Sequence, residues 1–427
     1  MFDRARHGEA LERLLSLDTV TPMEGGGAWE IEAAYDILAE MAGEIGPVES
    51  LRLTGSIAGT ADGLVPRTVL ARIEEGSEAF LTPQRNMVLR LGCPPPAPQL
   101  LFNAHLDTVA PFLPTRFADG VYHGRGACDA KGPAVAMLAG VEAAVWRNPG
   151  LLDEIGIVMQ FVVGEEGGAM GVYGTRDLFA RGYRGDLNLF LEPTGGTYID
   201  FSSASMTAEI QVDGLGCTDD SPHRGDNATL ILAAVAAHLS RHVAPAAAAL
   251  GAKFCLAGLH SGEAHNRVYG DGRLLINIAY LDNEAGDAIE GEMEKGVANA
   301  LADIKRDFRD HPFFSQTAAR AREITKLSWL KRRLPTLRNR NLEFEACLEA
   351  AGFRRLPEAE AEKSFTCDAI WGGGEGKYGA IIGPGDLTAN GAHTAHEFIS
   401  LADLEAFSGQ VATLLEQFRA AATRIDR

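Results

Sequence analysis

Hydrophobic and polar positions follow two different periods through the first half of the chain. The apolar runs LLFNAHLDTVA, IGIVMQFVVG and LNLFLEP are typical of buried strands, and each run ends in polar residues. Between them, KGPAVAMLAGVEAAVWR and MGVYGTRDLFARG have the length and spacing of helices. This alternation predicts an α/β layer with a largely parallel sheet, whose ligand site lies beyond the carboxyl ends of the strands.

The pattern changes after about Ser203, where half-exposed strands alternate with long helices in the order βαββαβ. That order is typical of a small two-layer ferredoxin-like domain. From roughly Leu337 the α/β pattern returns, so the small domain is inserted into the larger one. We therefore predict a first domain that is interrupted by an inserted domain, with the boundaries 1–204, 205–332 and 333–427.

Composition narrows the class of protein. The chain has 427 residues, of which 46% are hydrophobic and 23% charged, as in globular proteins with a sizeable core. Its net charge of -19 disfavours binding to nucleic acid and to anionic membranes. The six cysteines are scattered without a CxxC pair, which indicates reduced thiols. The amino-terminal segment lacks the apolar centre of a signal peptide, so we predict a cytoplasmic location.

One apolar stretch, NATLILAAVAAHLSRHV, has a composition close to that of a membrane span. Its apolar character is interrupted by His238, Arg241 and His242 before it is long enough to cross a bilayer. We therefore predict no membrane segment here.

Residues that can bind metal occur where predicted strands end. In NAHLDTVAP, His105 and Asp107 are two residues apart and so point the same way from a strand. They suit either a metal ligand with a supporting carboxylate or a buried His–Asp pair without metal. In GRGACDAKGP, Asp129 lies in a glycine-lined turn before a helix, where it is either a ligand or a helix cap.

Three glutamates follow two further apolar strands. Glu165 and Glu166 are adjacent in FVVGEEGGAMG, and Glu192 follows a strand in LFLEPTGG. Neighbouring carboxylates at the end of a buried strand repel each other unless a cation or a catalytic role compensates. Because adjacent side chains diverge, one of the pair can bind a metal while the other faces the substrate.

The carboxy-terminal segment NGAHTAHEFIS adds His393, His396 and Glu397. With the strand-end residues it completes a histidine and carboxylate set suited to a divalent cation such as zinc or manganese.

The segments HLDTVAP, GRGACDAKGP, GEEGG, LEPT and AHTAHEF resemble, in order and spacing, those of the co-catalytic zinc hydrolases. That family includes succinyl-diaminopimelate desuccinylase, acetylornithine deacetylase, aminoacylase and glutamate carboxypeptidase. The resemblance covers nearly the whole chain. It implies a zinc-exopeptidase-like mixed sheet flanked by helices, with an inserted ferredoxin-like lid or dimerisation domain.

The resemblance also implies roles for single residues. One metal would be held by His105, Asp129 and Glu192, and a second by Asp129, Glu166 and His393, with Asp129 bridging. The cofactor would be one or two zinc, manganese or cobalt ions per subunit.

Supporting roles follow from the same resemblance. Asp107 would orient His105, and Glu165 would be the general base that takes a proton from water. His396 is expected to lie outside the ligand set, and Glu397 to be structural. By the same resemblance, the peptide bond after Asp129 is expected to be cis.

Two departures from the family pattern concern substrate recognition. In GLGCTDDSPHRGDNAT, Thr218 occupies the place of a histidine that stabilises the oxyanion in the family, and His223 is a candidate substitute. Asn266 fits the family asparagine, but the usual carboxylate-binding arginine position holds Ala279. We therefore expect a substrate unlike an ordinary acylamino acid.

Three functions remain open. The first is amide hydrolysis on a small-molecule substrate. The second is hydrolytic deamination of an aromatic amine, as in the atypical family member 5-nitroanthranilic acid aminohydrolase. The third is a non-catalytic metal-binding or scaffold role on the same fold. In each case we expect a homodimer or higher homo-oligomer formed through the edge strands of the inserted domain.

Overall fold

The structure, a computed structural model, describes residues 1–61, 63–76, 79–374 and 377–425. It divides into two compact units. The first unit comprises Met1–Thr60, Thr68–Ser202 and Leu337–Arg427, and the second comprises Ala61–Arg67 and Ser203–Thr336. The predicted boundaries after residues 204 and 332 lie within a few residues of these. The short segment Ala61–Arg67 was not expected in the second unit.

The described residues form helices and strands in the following order along the chain. The helices are α1 (His7–Leu15), α2 (Ile31–Ile45), α3 (Arg67–Gly76), α4 (Lys131–Arg147), α5 (Thr175–Ala180), α6 (Ala228–Ala249), α7 (Asn283–Asp307), α8 (Ser315–Ile324), α9 (Leu342–Ala350) and α10 (Leu401–Ile425). The strands are β1 (Glu49–Thr54), β2 (Arg85–Gly92), β3 (Gln99–His105), β4 (Arg116–Ala118), β5 (Val121–His123), β6 (Gly156–Val162), β7 (Leu187–Leu191), β8 (Thr197–Ile199), β9 (Ala204–Asp213), β10 (Cys217–Thr218), β11 (Lys253–His260), β12 (Arg267–Val268), β13 (Asp271–Tyr280), β14 (Thr325–Lys331), β15 (Arg354–Arg355), β16 (Tyr378–Ile382) and β17 (Phe398–Ser400).

The first unit is built on a mixed sheet with the strand order β1-β2-β6-β3-β7-β16-β8-β15. Its central strands β6, β3, β7 and β16 are parallel neighbours, whereas β1, β2 and β8 pair antiparallel. The central strands are buried along their whole length, which explains why their sequences are continuous apolar runs. The predicted mixed α/β sheet is thereby confirmed.

Helix α4 packs against α10, α1 and α2 in the first unit. It is buried from Lys131 to Val145, as its nearly uniform apolar sequence requires. Gly140 permits the close approach of α10, because a Cβ atom there would lie 2.6 Å from Cβ of Val411.

The helix predicted over MGVYGTRDLFARG is shorter than expected. Only Thr175–Ala180 is helical, and the residues before it form turns. Met170 and Gly171 have φ values of 57° and 65°, which a right-handed helix cannot contain. The strand ending before Glu165 is therefore followed by a glycine-rich loop.

The second unit has a four-stranded antiparallel sheet with the strand order β11-β13-β9-β14. Its main elements follow the order β9, α6, β11, β13, α7, α8 and β14, so α8 is an addition to the predicted βαββαβ order. The two long helices begin at capping side chains. Asn227 accepts a hydrogen bond from the backbone of Leu230, and Asp282 accepts two in the first turn of α7.

By length and composition, α6 is long and apolar enough to cross a membrane, so the expectation that His238, Arg241 and His242 interrupt the stretch too early was wrong. In the structure it packs against α7 and against strands β11, β13 and β9 of the same unit. Ile231, Leu232, Val235, Leu239 and Val243 are buried there. One face of α6 is therefore buried in the interior of the second unit, and this face comprises 33% of its most apolar window.

The chain leaves and re-enters the first unit at adjacent points. The backbone N–H of Ser202 donates to the carbonyl of Leu337 over 2.9 Å. In return, the N–H of Leu337 donates to Oγ of Ser202 over 3.1 Å. The two ends of the inserted segment are thus joined to each other by hydrogen bonds.

Candidate metal centre

The candidate site lies at the carboxyl edge of the central strands in the first unit. His105 is the last residue of β3, and Glu192 directly follows β7. The loop after β6 carries Glu165 and Glu166. Because β6, β3 and β7 are parallel neighbours, their carboxyl ends meet at one edge, as the sequence pattern predicts.

Two further side chains reach this edge from loops. Asp129 lies just before α4, and its peptide bond to Ala130 is cis, as expected. His393 lies in the loop between β16 and β17, with a φ of 64°. Asp129 is buried, whereas His393 is exposed over half of its side chain.

The carboxylate of Asp129 joins the two histidines. His105 Nε2 lies 2.9 Å from Asp129 Oδ1, and His393 Nε2 lies 3.1 Å from Asp129 Oδ2. His393 Nε2 is also 3.0 Å from Glu166 Oε1, and His105 Nε2 is 3.9 Å from Glu192 Oε1. Each oxygen of Asp129 therefore faces a different histidine and a different second carboxylate.

These contacts define two sets of three potential ligand atoms, each within 4.8 Å of one another. One set is His105, Asp129 and Glu192, and the other is Asp129, Glu166 and His393. A third set combines His105 with Glu165 and Glu166. Imidazole nitrogens with carboxylate oxygens are the donors that zinc and similar divalent cations take in catalytic sites. The donor set thus fits two adjacent cations that share Asp129.

Among the described residues at this edge, the carboxylates of the candidate ligand sets outnumber the histidines, since Asp129, Glu165, Glu166 and Glu192 face His105 and His393. Burial and the negative charge of Glu166 raise the pKa of Glu165 well above its usual value. Burial and the charge of Asp129 do the same for Glu192. Hydrogen bonds to Asp129 and Glu166 raise the pKa of His393 to about 10. Carboxylates crowded and buried in this way are costly without a counter-ion, which again favours bound cations.

Asp107 contacts the site through both its backbone and its side chain. His105 Nδ1 donates to the backbone carbonyl of Asp107 over 2.8 Å, which leaves Nε2 facing Asp129. The Asp107 carboxylate lies 3.8 Å from that Nδ1. Its Oδ2 instead accepts hydrogen bonds from the N–H groups of Gly164 (3.0 Å) and Glu166 (3.2 Å). The fully buried Asp107 side chain therefore holds the loop that carries the two glutamates.

A polar chain near this loop was not anticipated from the sequence. Asn103 Nδ2 donates to Thr175 Oγ1 over 2.9 Å, and Thr175 donates to the buried carboxylate of Asp368. Burial raises the pKa of Asp368 to about 7. Gly171 leaves room for this carboxylate, because a Cβ atom there would lie 2.0 Å from Asp368 Oδ1. The signal in the sequence was a single Asp in the otherwise uncharged stretch FTCDAIW.

The residues predicted to bind substrate lie in the second unit. Thr218 in β10 pairs with Arg267 in β12, and Asn266 immediately precedes Arg267. His223 lies in a short 3₁₀ turn, Pro222–Arg224. Thr218, His223 and Asn266 are all exposed. Their roles remain predictions.

Comparison with known proteins identifies the class to which this fold and site belong. Residues 101–417 match the sequence profile of peptidase family M20/M25/M40. The chain belongs to this family of metal-dependent hydrolases, and the resemblance inferred from the five segments is thereby confirmed.

Two curated relatives illustrate the range of similar proteins. A protein of Aeropyrum pernix named as a LysW-lysine/LysW-ornithine hydrolase is 32% identical over 205 residues, which is 47% of this chain and 52% of the relative. Succinyl-diaminopimelate desuccinylase of Methylorubrum extorquens is 28% identical over 246 residues, 52% of this chain and 62% of the relative. The matches thus span about half the length of these relatives.

The fold is similar to that of solved structures over nearly the full chain. A tripeptidase of Staphylococcus aureus superimposes with a TM-score of 0.69 at 18% sequence identity, covering 98% of this chain and 100% of that protein. At this identity the likeness establishes the fold.

Proposed function

We propose that this protein is a metal-dependent hydrolase that cleaves a C–N bond of amide type in a small-molecule substrate. The observation that carries the proposal is the pair of ligand sets that share Asp129 at the carboxyl edge of the sheet. Membership of the M20/M25/M40 family supports it. The names of the relatives support it as well, since they include a desuccinylase and a tripeptidase.

The proposed ligands divide between two cations. His105, Asp129 and Glu192 would hold one, and Asp129, Glu166 and His393 the other. Zinc, manganese and cobalt all accept such donors. When bound, the metal supplies Lewis-acid activation of water and polarises the substrate carbonyl.

Glu165 is the proposed general base. It belongs to the candidate ligand set with His105 and Glu166, but it is absent from the two sets that share Asp129. It also keeps partial exposure, whereas Glu166 is buried. Burial and Glu166 raise the pKa of Glu165, so its carboxylate can take a proton from water and return it to the leaving nitrogen. Asp107 would hold this base in place through the N–H groups of the loop.

The decisive experiment combines metal removal with a substrate screen. Purified protein is stripped with a chelator, reloaded separately with zinc, manganese or cobalt, and assayed on acylamino acids, short peptides and aromatic amines. Released ammonia and released carboxylate are scored separately. We expect carboxylate release that depends on metal. The Asp129→Ala variant, treated identically, is the matched control and should stay inactive.

The screen also separates the other two functions. The replacement of the expected oxyanion histidine by Thr218 and of the arginine by Ala279 favours a substrate unlike an ordinary acylamino acid. In the deamination of an aromatic amine, the negative charge of the addition intermediate lies on the ring. That reaction therefore does not need a histidine that stabilises a carbonyl oxyanion. Release of ammonia without carboxylate would select that reaction. Metal binding without any turnover would favour the scaffold role.

We further propose that the protein acts in the cytoplasm as a homodimer formed through the second unit. Strand β11 lies at an edge of its sheet, and Leu256 and Leu259 on it are 43% and 42% exposed. An exposed edge strand with large apolar side chains is suited to pairing with a second copy. Light scattering on purified protein tests this, and Leu256→Lys should shift a dimer towards the monomer.

A further inference from the structure

A buried ion pair lies against the loop that carries Asp129. Arg125 and Glu397 are each 1% exposed, and Arg125 Nη1 donates to Glu397 Oε2 over 2.6 Å. Arg125 Nε also donates to the carbonyl of Pro111 over 3.3 Å. Neither side chain belongs to the candidate ligand sets. A buried ion pair contributes little net stability, so its presence here calls for another explanation.

The second carboxylate oxygen of Glu397 is directed at the backbone of the ligand loop. Glu397 Oε1 accepts hydrogen bonds from the N–H groups of Cys128 (3.1 Å) and Asp129 (3.2 Å). These two N–H groups are buried, and without an acceptor they would remain unsatisfied at a substantial cost. Glu397 therefore determines where the backbone of Asp129 lies, and with it the direction of the carboxylate that both ligand sets share.

Glu397 also connects this loop to the one that carries His393. It lies four residues after His393 in the sequence. Its backbone carbonyl accepts from the N–H of Gly124 over 3.2 Å, and the next residue, Phe398, pairs with His123 at the start of β17. One residue thus ties together the two loops that supply Asp129 and His393.

We propose that Glu397 is a positioning residue for the metal centre. It orients the shared ligand Asp129 through the backbone and holds the His393 loop in register with it. Arg125 holds the other oxygen of Glu397 through the hydrogen bond from its Nη1 atom. This inference rests on the proposed function, since it presupposes that Asp129 and His393 bind metal.

The test compares two double variants that differ only in the hydrogen-bond acceptor. R125M/E397Q removes both charges but keeps an oxygen for the two N–H groups. R125M/E397L removes the oxygen as well and leaves no buried unpaired charge. Zinc and manganese affinities of the stripped proteins are measured by calorimetric titration. We expect R125M/E397L to bind metal about 10–100-fold more weakly than R125M/E397Q, the usual effect of losing support behind a ligand.

A second ion pair provides the control for a purely structural effect. Arg355 donates through Nε and Nη2 to Asp200 over 2.9 Å in each case, and Asp200 is 1% exposed. The matched variant R355M/D200L should lower the melting temperature without changing metal affinity. If R125M/E397L does not fold, E397D replaces it, because it keeps the charge beside Arg125 but shortens the reach to the N–H groups.

The outcomes separate the inference from the proposed function. Equal metal affinity in R125M/E397Q and R125M/E397L would overturn the positioning role, while leaving the metal centre intact. If E397D has to replace R125M/E397L, equal metal affinity in E397D and the wild type would overturn it in the same way. Failure of the wild-type protein to bind zinc or manganese would overturn the proposed function itself. Weaker metal binding in R355M/D200L, to the same degree, would show that any loss of packing weakens the site and would also contradict the positioning role.

Discussion

The polar side chains at the carboxyl edge of the first unit and those in the loops of the second unit differ in burial and in hydrogen bonding. At the edge, Asp107, Asp129 and Glu166 are buried and connected by hydrogen bonds or short contacts to neighbouring groups. In the second unit, Thr218 and Asn266 are exposed. A buried charged group is expensive to change, because its partners are left unsatisfied, whereas an exposed residue can be replaced at little cost. We therefore expect the predicted ligand residues to tolerate substitution far less than the recognition residues predicted in the second unit.

The largest effect is expected from Asp129→Ala. This change removes the carboxylate that contacts both His105 and His393, so neither ligand set is complete. We expect both cations to be lost and turnover to fall by more than about 10⁴-fold. This is more than the rate contribution of a single general base. Metal analysis and initial rates test this. A variant that kept two metals would show that the carboxylate is not shared.

Variants of the adjacent residues Glu165 and Glu166 should lose activity for different reasons. Glu165→Gln keeps the size of the side chain but cannot take a proton, so turnover should fall by about 10²–10⁴-fold with metal content unchanged. Glu166→Ala removes one of the two carboxylates that contact His393, so metal content and turnover should fall together and recover partly with excess metal. Metal loss in Glu165→Gln, or its near-normal turnover, would require the two roles to be exchanged.

A smaller effect is expected at Asp107. In Asp107→Ala the N–H groups of Gly164 and Glu166 lose their acceptor, so the loop carrying the base becomes less ordered. We expect turnover to fall by about 10–100-fold, as for other supporting groups behind a metal site. Asp107→Asn keeps one oxygen and should be less affected. Equal losses in both variants would indicate that the charge of Asp107, and not its position, is what matters.

The smallest effects are expected in the second unit. Thr218→Ala and Asn266→Ala change exposed side chains, so the free energy of unfolding should change by no more than about 0.5 kcal/mol. We expect KM to rise and turnover to fall by less than about tenfold, because neither residue supplies a charged donor. Thermal melts and steady-state kinetics check both points. A loss of about 10²–10³-fold in Thr218→Ala would instead identify Thr218 as an oxyanion donor.

The sequence predicted the location of the candidate site because its residues follow strand ends. Parallel strands place their carboxyl ends at one edge, so His105, Glu166 and Glu192 could be expected together from pattern alone. The atoms that Asp107 and Glu397 contact could not be predicted this way. Their carboxylates bind backbone N–H groups of loops, and loop geometry is not encoded in a periodic pattern.

Two features of the fold escaped prediction for related reasons. The turns before α5 depend on left-handed backbone at Met170 and Gly171, a conformation that a methionine does not signal in the sequence. The grouping of Ala61–Arg67 with the second unit depends on contacts distant in sequence. Such contacts follow from tertiary packing, which single-sequence patterns do not report.

The hydrogen bonds between Ser202 and Leu337 have a consequence for the modularity of this chain. The two crossings lie within hydrogen-bonding distance, so the intervening residues 203–336 form a loop whose ends are already closed. The entropic cost of lengthening a closed loop grows only with the logarithm of its length. We therefore expect insertions and deletions in the surface loops of residues 203–336 to leave the closure at Ser202 and Leu337 intact, so that this segment can change in length while the first unit keeps its fold.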